Sequence, residues 1–436
     1  MTSGRNVMER HKVLLLGGKP VASVDIAKYL KDEGCKLYVA DYLPSSLSPA
    51  KAYADVELDM STADVPSLCK LVKEEGIDGV VTGVHEFNID KAMKVADSCG
   101  LPYYVDKDVW AIVSDKARFR SYCDSFGIMT PKTEYVGTGK MQEVGNVSFP
   151  VIVKPVDNGA NIGISICRNM NELLHAVDEA TAFSDKGQVI VEDFIEGDEV
   201  SVTYIVKDDV PYLVACGLKF NHMSDDSSRP SALADGYVYP APQTRDYIDR
   251  FDEAVRRMVS SLKLGTSTIF FQGIYNEKGF HIFEAGLRLE GTASFRFIDA
   301  MTGVNPMKQM VQACCPFLDY RFNPVDVDPL FGGRQVNIVS VICKRGATVA
   351  SIEGFDELAT SGAFIATECR VVHGNEIPDD ESLRRIAMRF VFVSSGDSEL
   401  RDRLQAIKNG IRISDPEGAD IIDEWSNGTF SRLLGE

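Results

Sequence analysis

The 436-residue sequence lacks long hydrophobic runs, since none approaches the roughly 18 residues that a membrane helix needs. Its first residues, MTSGRNVMERHK, contain no apolar stretch typical of a secretory signal. Basic charge is also scarce, because 46 basic residues face 64 acidic ones and the formal net charge is −18. A surface this negative repels phosphate backbones. We therefore expect a cytoplasmic protein with neither a membrane nor a nucleic acid as its partner.

Familiar metal and nucleotide motifs are absent as well. The ten cysteines form no CxxC pair and show no ligand-like spacing with the six histidines, so we expect reduced thiols and no zinc site. No GK[ST] follows the glycines of the segment 157–163, which rules out a Walker A motif. Gly17-Gly18 lacks the rest of GxGxxG. A nicotinamide site there, with Asp41 as the ribose acid, is one interpretation, and a turn that needs small residues is the other.

The first part of the chain alternates short apolar strands with amphipathic helices. The predicted strands are Val13–Leu16, Leu37–Asp41 and Gly79–Thr82, and the predicted helices are Val24–Lys31, Val65–Glu75 and Ile89–Ser98. This alternation predicts an α/β unit over residues 1–112, with an open, Rossmann-like parallel sheet.

The pattern changes near residue 113, where a helix runs to Gly127 and strands and helices then mix. Short strands dominate after Pro329. We therefore predict a nucleotide-binding α+β domain over 113–329, with a mobile lid at about 130–205. A C-terminal, strand-rich α+β subdomain follows over 330–436.

The segment IFFQGIYNEKGFHIFEAGLR predicts a hairpin with polar residues among apolar ones. If 277–279 is a three-residue loop, Gln272 lies opposite Glu284, whereas a two-residue loop would put them on opposite faces. Amide and carboxylate oxygens side by side suit Mg²⁺, and Arg288 just beyond can neutralise a phosphoryl group. The alternative is an edge hairpin with incidental polar residues.

Three further segments carry residues suited to a nucleotide. Lys116 begins a helix, and Lys154 ends an apolar strand before the loop Asp157–Gly163, whose small residues expose backbone N–H groups to phosphate oxygens. Glu192 ends another apolar run, and Glu199 follows it, an arrangement that suits a purine edge and ribose hydroxyls. Each segment alone fits a surface lysine or a turn equally well.

In this order, the segments resemble the ATP-grasp superfamily over about residues 1–320. The resemblance is closest to the carbamoyl-phosphate-synthase-like and L-amino-acid-ligase-like carboxylate–amine ligase branches, whose E-x-G-x-R pattern matches EAGLRLEG, Glu284 to Gly291. It implies a pre-ATP-grasp, Rossmann-like domain followed by an ATP-grasp α+β fold. The neutral Gln272, and Gly286 where many members have Asn, depart from the pattern and imply weaker metal binding.

The resemblance also implies ATP and Mg²⁺ as cofactors, with Mn²⁺ as an alternative. It gives nucleotide-binding roles to Lys116, Lys154, Asn158, Gly159, Gly163, Glu192, Asp193, Phe194, Ile195 and Glu199. It gives the metal to Gln272 and Glu284, and catalysis to Arg288 and Lys154. The expected substrate contacts are His85, Glu86, Tyr239, Arg288, Thr292 and Ser294.

The activity implied is an ATP-dependent ligase that joins a small-molecule carboxylate, such as an amino acid, to an amine through an acyl phosphate. The alternatives are a carbamoyl-phosphate-synthase-like phosphorylating enzyme, a non-catalytic ATP-binding protein, and the nicotinamide-dependent oxidoreductase of the Gly17-Gly18 interpretation. We expect a homodimer, because symmetric dimers are the commonest soluble oligomers.

Overall fold

A computed structural model of the protein describes residues 10–138, 147–157, 161–222, 228–231, 233–323 and 327–423. Its N-terminal unit is a parallel sheet with strand order β3-β2-β1-β4 and helices between the strands. The elements are β1 (Lys12–Leu16), α1 (Val21–Asp32), β2 (Lys36–Ala40), β3 (Val56–Leu58), α2 (Val65–Glu75), β4 (Gly79–Thr82) and α3 (Glu86–Cys99). The predicted open parallel sheet is therefore confirmed.

A second sheet follows, antiparallel and with strand order β5-β8-β6-β7. Its segment comprises α4 (Lys107–Val113), α5 (Lys116–Ser125), β5 (Thr133–Gly137), β6 (Val151–Pro155), β7 (Ser165–Cys167), α6 (Met170–Ala182) and β8 (Val189–Asp193). This small sheet and α6 form a separate hydrophobic core, which includes Leu173 and Val177 of the helix and Val151, Val153 and Val191 of the strands. This small sheet lies within the predicted lid, whose mobility stays a prediction.

The third sheet has the strand order β13-β12-β9-β10-β11-β14-β17-β16 and is antiparallel throughout. The remaining elements are β9 (Asp198–Lys207), β10 (Val210–Asn221), β11 (Ala234–Tyr239), α7 (Thr244–Arg250), α8 (Asp252–Ser261), β12 (Ser267–Asn276), β13 (Gly279–Gly286), α9 (Phe295–Thr302), α10 (Pro306–Cys314), β14 (Gln335–Ile342), β15 (Ser351–Glu353), α11 (Phe355–Thr360), β16 (Ala366–Cys369), β17 (Ile386–Ser394), α12 (Asp397–Gly410) and β18 (Arg412–Ser414).

This large sheet crosses the boundary drawn at residue 330. Strands β14, β16 and β17 come from the predicted C-terminal subdomain, yet they extend the sheet begun by β9 to β13. Strands β15 and β18 pair apart from it, as a two-stranded sheet. The C-terminal segment thus completes the large sheet, and the domain limits themselves stay predictions.

One face of the large sheet is apolar and packs against helices α8 and α10, and α10 in turn contacts the N-terminal unit. Val202, Tyr204 and Phe271 of this face share a single hydrophobic core with Val13 and Ile26 of the first unit. Because strand side chains alternate between faces, the neighbouring positions of β9 and β12 point the other way. Those positions include the polar residues of the predicted site.

Three negative findings apply to the residues that the structure describes. No helix there is long and apolar enough to cross a membrane. No group of three or more His, Cys, Asp or Glu residues there is arranged to hold a metal ion. All ten cysteines lie in those ranges, and each is a free thiol.

Candidate active site

The predicted hairpin brings Gln272 and Glu284 together, although not by the loop expected. Gln272 pairs directly with Glu284 across β12 and β13, which confirms the pairing. The three-residue loop was wrong, because Asn276 pairs with Gly279 and leaves a two-residue turn. A bulge at Phe283 adds one residue to β13 and restores the register at Glu284. The two side chains therefore lie on one face, as a metal site requires.

The bulged residue also contacts a predicted phosphate ligand. The ring of Phe283 lies under Lys154, whose Nζ is 5.4 Å from the ring centroid. Lys154 comes from β6 of the small sheet, so this cation–π contact joins the two sheets at the site.

Glu192 is held between two cations inside the protein. Its Oε1 accepts a hydrogen bond from Arg120 Nε at 2.7 Å, and its Oε2 accepts one from Lys154 Nζ at 2.9 Å. Burial acts to raise the pKa of Glu192, but the charges of Lys154 and Arg120 outweigh it and lower the pKa to about 2. Both carboxylate oxygens of Glu192 are therefore engaged, one by Arg120 and one by Lys154. The role of Glu192 toward adenine stays a prediction. Sequence reasoning missed Arg120, although it follows Lys116 by one helical turn.

Asp193 and Phe194, two predicted nucleotide-binding residues, have backbone N–H groups with partners inside the protein. The N–H of Asp193 donates to the Lys132 carbonyl at 2.9 Å, and the N–H of Phe194 donates to the Pro150 carbonyl at 3.1 Å. These two N–H groups are therefore engaged within the protein, and the nucleotide-binding roles of Asp193 and Phe194 stay predictions. Ile195 lies in the connection between β8 and β9, and its adenine contact stays a prediction.

Lys116 lies among the other charged groups of the site. It is the first residue of α5, and the helix is capped by the Asp115 carboxylate, which accepts from the Arg118 N–H at 3.1 Å. Burial lowers the pKa of the Lys116 amine, and Glu284 acts in the opposite direction. Lys154 lowers that pKa further. The structure thus brings Lys116 within electrostatic range of both Glu284, a predicted metal ligand, and Lys154.

Glu199, the predicted ribose acid, is engaged by the neighbouring strand. Lys219 Nζ lies 2.9 Å and 3.1 Å from its two carboxylate oxygens, and Asn221 Nδ2 donates to Oε2 at 3.1 Å. Burial acts to lower the pKa of Lys219, but Glu199 outweighs it and the pKa is raised. Sequence reasoning missed Lys219, because its contact depends on how β9 and β10 pair. The ribose role of Glu199 stays a prediction.

Arg288 meets the N-terminal unit at the edge of the large sheet. Its Nε lies 3.2 Å from Glu86 Oε1, and its guanidinium is 5.0 Å from the centroid of the Phe270 ring. That ring also occupies the space beside Gly286, where a Cβ would overlap it. The glycine that departs from the family pattern therefore makes room for the aromatic support of Arg288.

His85 and Glu86 begin α3 at the carboxyl end of β4. Burial lowers the pKa of His85, and the charges of Arg288 and Lys19 lower it further. The imidazole is therefore neutral at pH 7. The structure brings these two candidate substrate contacts to Arg288, 202 residues away in sequence.

Tyr239, Thr292 and Ser294 surround a residue that sequence reasoning missed, Glu290. Thr292 Oγ1 donates to Glu290 Oε2 at 3.3 Å. The Tyr239 ring is fully buried and packs against Phe297, with ring centroids 4.5 Å apart. Substrate roles for these residues stay predictions.

The predicted phosphate loop is described only at its two ends. Asn158 and Gly159 lie outside the described residues. The Asp157 carboxylate accepts from Ser184 Oγ at 2.7 Å and from the Lys186 N–H at 2.9 Å, which anchors the start of the loop. Gly163 ends it with φ +70°, a conformation that favours glycine. Its phosphate role stays a prediction.

The alternative nicotinamide site finds no support in the geometry. Asp41 Oδ2 accepts hydrogen bonds from the Gly18 N–H at 2.8 Å and from Ser48 Oγ at 3.0 Å, and Oδ1 accepts from the Leu43 N–H at 3.0 Å. A carboxylate so occupied fixes its own loop. The turn that needs small residues is therefore the better interpretation of Gly17-Gly18.

Known proteins resemble this chain in sequence and in fold. The family model described as D-ala D-ala ligase C-terminus matches residues 127–221. D-alanine–D-alanine ligase A of Bacillus cereus is 25% identical over 230 residues, which cover 50% of this chain and 66% of the relative. The D-alanine–D-alanine ligase of a Marinomonas species is 31% identical over 172 residues, 37% of this chain and 52% of the relative. The chain thus matches between about half and two thirds of the length of these relatives.

Solved structures match over nearly the whole chain. L-amino acid ligase from Bacillus licheniformis has a TM-score of 0.74 at 17% identity, covering 93% of this chain and 99% of its own. The biotin carboxylase domain dimer of Hydrogenobacter thermophilus 2-oxoglutarate carboxylase, in complex with MgADP, has a TM-score of 0.74 at 16% identity, covering 93% and 91%. At these identities the structures show the fold alone. Together they give the chain the fold of the ATP-grasp proteins, and residues 127–221 also match the D-ala D-ala ligase C-terminus in sequence.

Proposed function

We propose that the protein is an ATP-dependent carboxylate–amine ligase. The γ-phosphoryl group of ATP passes to the carboxylate of a small molecule, which gives an acyl phosphate and ADP. An amine then attacks the acyl carbon, forms the C–N bond and displaces phosphate. The names of the curated relatives, which are ligases, support this type of reaction.

The observation that carries the proposal is the pairing of Gln272 with Glu284 beside three cationic side chains. The charge of Glu284 acts to raise the pKa of Lys116, and the Lys154 ammonium lies over the ring of the neighbouring Phe283. Arg288 follows β13, the strand that carries Glu284. Phosphoryl transfer requires this concentration of positive charge, because charge develops on the transferred group.

The residues present fit a divalent cation shared with phosphates. Gln272 and Glu284 provide an amide oxygen and a carboxylate, which are oxygen ligands that Mg²⁺ prefers, and Mn²⁺ is an alternative. Bound there, the cation neutralises phosphate charge. With a single acid in the pair, Gln272 and Glu284 would supply only part of the ligands that such a cation takes.

During turnover, Arg288 has to exchange its contact with Glu86 for a contact with the transferred phosphoryl group. In the structure it contacts Glu86, whose side chain is about half exposed. A solvent-exposed ion pair of this kind contributes little free energy, about 0–1 kcal/mol. The guanidinium can therefore turn from Glu86 to the phosphoryl group and the acyl phosphate at small cost.

The same proposal includes the cellular location, the oligomeric state and the substrates of the enzyme. We place the enzyme in the cytoplasm as a homodimer with small-molecule carboxylate and amine substrates. The dimeric biotin carboxylase domain in complex with MgADP, which shares the fold, supports the dimer and a magnesium-bound adenine nucleotide as cofactor.

The test is ADP release from MgATP, measured against a matrix of small carboxylates and amines that includes amino acids. We expect release that needs one particular pair and falls roughly 100-fold or more in Glu284→Ala. Glu277→Ala is the matched control, because Glu277 is exposed in the turn of the same hairpin. Its activity should equal that of the wild type.

Other outcomes of this assay identify the alternatives. ADP release with a carboxylate alone would favour a phosphorylating enzyme of the carbamoyl-phosphate-synthase type. ATP binding without release across the whole matrix would contradict the ligase and favour a non-catalytic ATP-binding protein.

A further inference from the structure

The connection between β13 and α9, residues 287–294, carries the proposed catalytic Arg288. We refer to it as the Arg288 connection. Its backbone helps to orient the arginine, because Arg288 Nη1 donates to the Leu289 carbonyl at 3.1 Å. Ala293 takes φ +57°, a left-handed conformation that is uncommon for residues other than glycine. Such a strained backbone persists only where surrounding contacts hold it in place.

The N-terminal unit holds both ends of the Arg288 connection. At the start, Arg288 Nε lies 3.2 Å from the carboxylate of Glu86 on α3. Just after the end, in the first turn of α9, Nε and Nη2 of Arg296 lie 2.6 Å and 3.0 Å from the two carboxylate oxygens of Asp25 on α1. These ion pairs fix where the connection begins and ends, and they leave its middle to other contacts.

Arg389 of β17 holds the middle of the connection. Its Nη1 donates to the Gly291 carbonyl at 2.8 Å, across 98 residues of sequence. The guanidinium lies deep in the fold, since Arg389 is only 6% exposed. Glu290, the residue before Gly291, is buried to the same extent, but no hydrogen bond joins it to Arg389 within the described ranges. The C-terminal segment of the chain therefore contacts the connection through a backbone carbonyl.

This arginine is costly for the fold. Burial lowers the pKa of Arg389 to about 10, with a smaller contribution from the charge of Arg370. Glu368, directly opposite on β16, acts against this shift, but its carboxylate accepts from Arg370 at 2.8 Å. The Nε of Arg389 has no hydrogen-bond partner among the residues that the structure describes. A buried cation without a paired acid destabilises a folded protein, so stability does not explain why an arginine stands here.

We propose that Arg389 is a positioning residue for phosphoryl transfer, which holds the Gly291 carbonyl and so keeps Arg288 in its reactive orientation. This inference rests on the proposed ligase function and adds β17 to the elements that build the site. Without the contact, the strained backbone at Ala293 is free to relax, and the Leu289 carbonyl that orients Arg288 shifts with it. A displacement of about 1 Å is enough to slow a reaction roughly 100-fold.

Hydrogen exchange tests the contact without any substrate. The variant Arg389→Met keeps a long side chain but removes the charge and the donor. We expect the backbone amides of residues 287–294 to exchange at least about tenfold faster than in the wild type, as measured by mass spectrometry, while those of the β12–β13 hairpin keep their rates. The melting temperature should equal or exceed that of the wild type, because replacing an unpaired buried cation by an apolar side chain is neutral or stabilising.

The kinetic prediction is a loss of rate without a loss of nucleotide affinity. When ADP release is measured with the substrate pair that the wild type uses, the kcat of Arg389→Met should fall roughly 10- to 100-fold, and the KM for ATP should stay unchanged. Arg389→Lys, which keeps the charge and a donor, should recover part of that rate.

Arg385→Met is the matched control. Arg385 is 2% exposed and lies just before β17, where it binds Glu381 at 2.8 Å and also binds Asp423. Removing the buried partner of these ion pairs should lower the melting temperature. The kcat of this variant and the exchange of residues 287–294 should stay those of the wild type.

Four results would overturn the inference. Unchanged exchange of residues 287–294 in Arg389→Met would show that Arg389 does not hold the connection. Faster exchange combined with a wild-type kcat would show that the held position does not matter for the reaction. A lower melting temperature, with a loss of kcat that matches the loss of folded protein, would assign Arg389 a purely structural role. Absence of ADP release with every substrate pair in the wild type would refute the proposed ligase and the catalytic role of Arg389 with it, while the exchange experiment would still report on the contact itself.

Discussion

Replacing Glu192 by Gln is expected to remove about 3 kcal/mol of stability. In the folded protein the two cations lower the pKa of this carboxyl from 4.5 to about 2, and each pKa unit corresponds to about 1.4 kcal/mol. The product, about 3 kcal/mol, agrees with the roughly 3–5 kcal/mol lost when one partner of a buried ion pair is removed. The variant leaves Arg120 and Lys154 buried beside a neutral amide, where neither charge is compensated.

The stability lost in Glu192→Gln should depend on pH in a direction that the pKa shift of Glu192 determines. Because the pKa of Glu192 is lower in the folded state, its contribution is complete above about pH 4.5 and is lost as the pH falls toward 2. Urea unfolding followed by circular dichroism should therefore show the full difference between variant and wild type at pH 7, and a smaller one at pH 3. Glu179→Gln is the control, since Glu179 pairs with Arg229 at the surface and should cost less than about 1 kcal/mol. A loss below 1 kcal/mol for Glu192→Gln, or one independent of pH, would refute the reasoning.

Two further predictions follow from the site. Burial raises the pKa of Glu290, so wild-type stability is greatest below the ordinary carboxyl pKa and falls as the pH rises through the raised one. Without substrate, Glu290→Gln should therefore melt at a higher temperature than the wild type at pH 8, and thermal scans at pH 5 should show a smaller difference. For the metal, Gln272→Glu adds a second acid opposite Glu284 and should lower the Mg²⁺ concentration needed for half-maximal ADP release about tenfold, whereas an unchanged Mg²⁺ titration would argue against this pair as the metal site.

Local patterns in the sequence predicted much of the fold. The alternation of strands and helices gave the N-terminal sheet, and helix α2 begins and ends where it was expected. Its ends are fixed by nearby residues, with the Asp64 side chain accepting from the Ser67 N–H at 3.2 Å and Gly76 taking φ +64°. Signals of this kind lie within a few residues of each other, so a single sequence is enough to find them.

The hairpin shows how a correct pairing came from an incorrect loop. Counting from a three-residue loop put Gln272 opposite Glu284, and the structure reaches the same pairing with a two-residue turn and a bulge at Phe283. Compared with a plain two-residue turn, both the three-residue loop and the bulge place one more residue on the β13 side before Glu284 is reached. The apolar pattern of Phe280 to Phe283 carries no mark of which residue is extra, since any of them could pack against the core.

Contacts between distant segments could not be predicted in this way. Arg120 and Glu192 are 72 residues apart, and Glu86 and Arg288 are 202 apart. The sequence marked Glu192, Glu86 and Arg288 as site candidates but gave no sign of their partners, and only the folded arrangement brings the opposite charges together.

Glu290 is a second example of a feature that could not be predicted from the sequence. In EAGLRLEG it reads as an acid near the end of a strand, and such acids are usually solvated. In the folded chain it is buried, and its Oε1 has no hydrogen-bond partner among the described residues; its neighbours in the sequence indicate neither property. Glu192 is buried as completely, but it is held by two cations and so contributes to stability. The two buried carboxylates therefore affect stability in opposite directions with pH: ionised Glu192 stabilises the fold, whereas burial of Glu290 favours its protonated form and makes its ionisation costly.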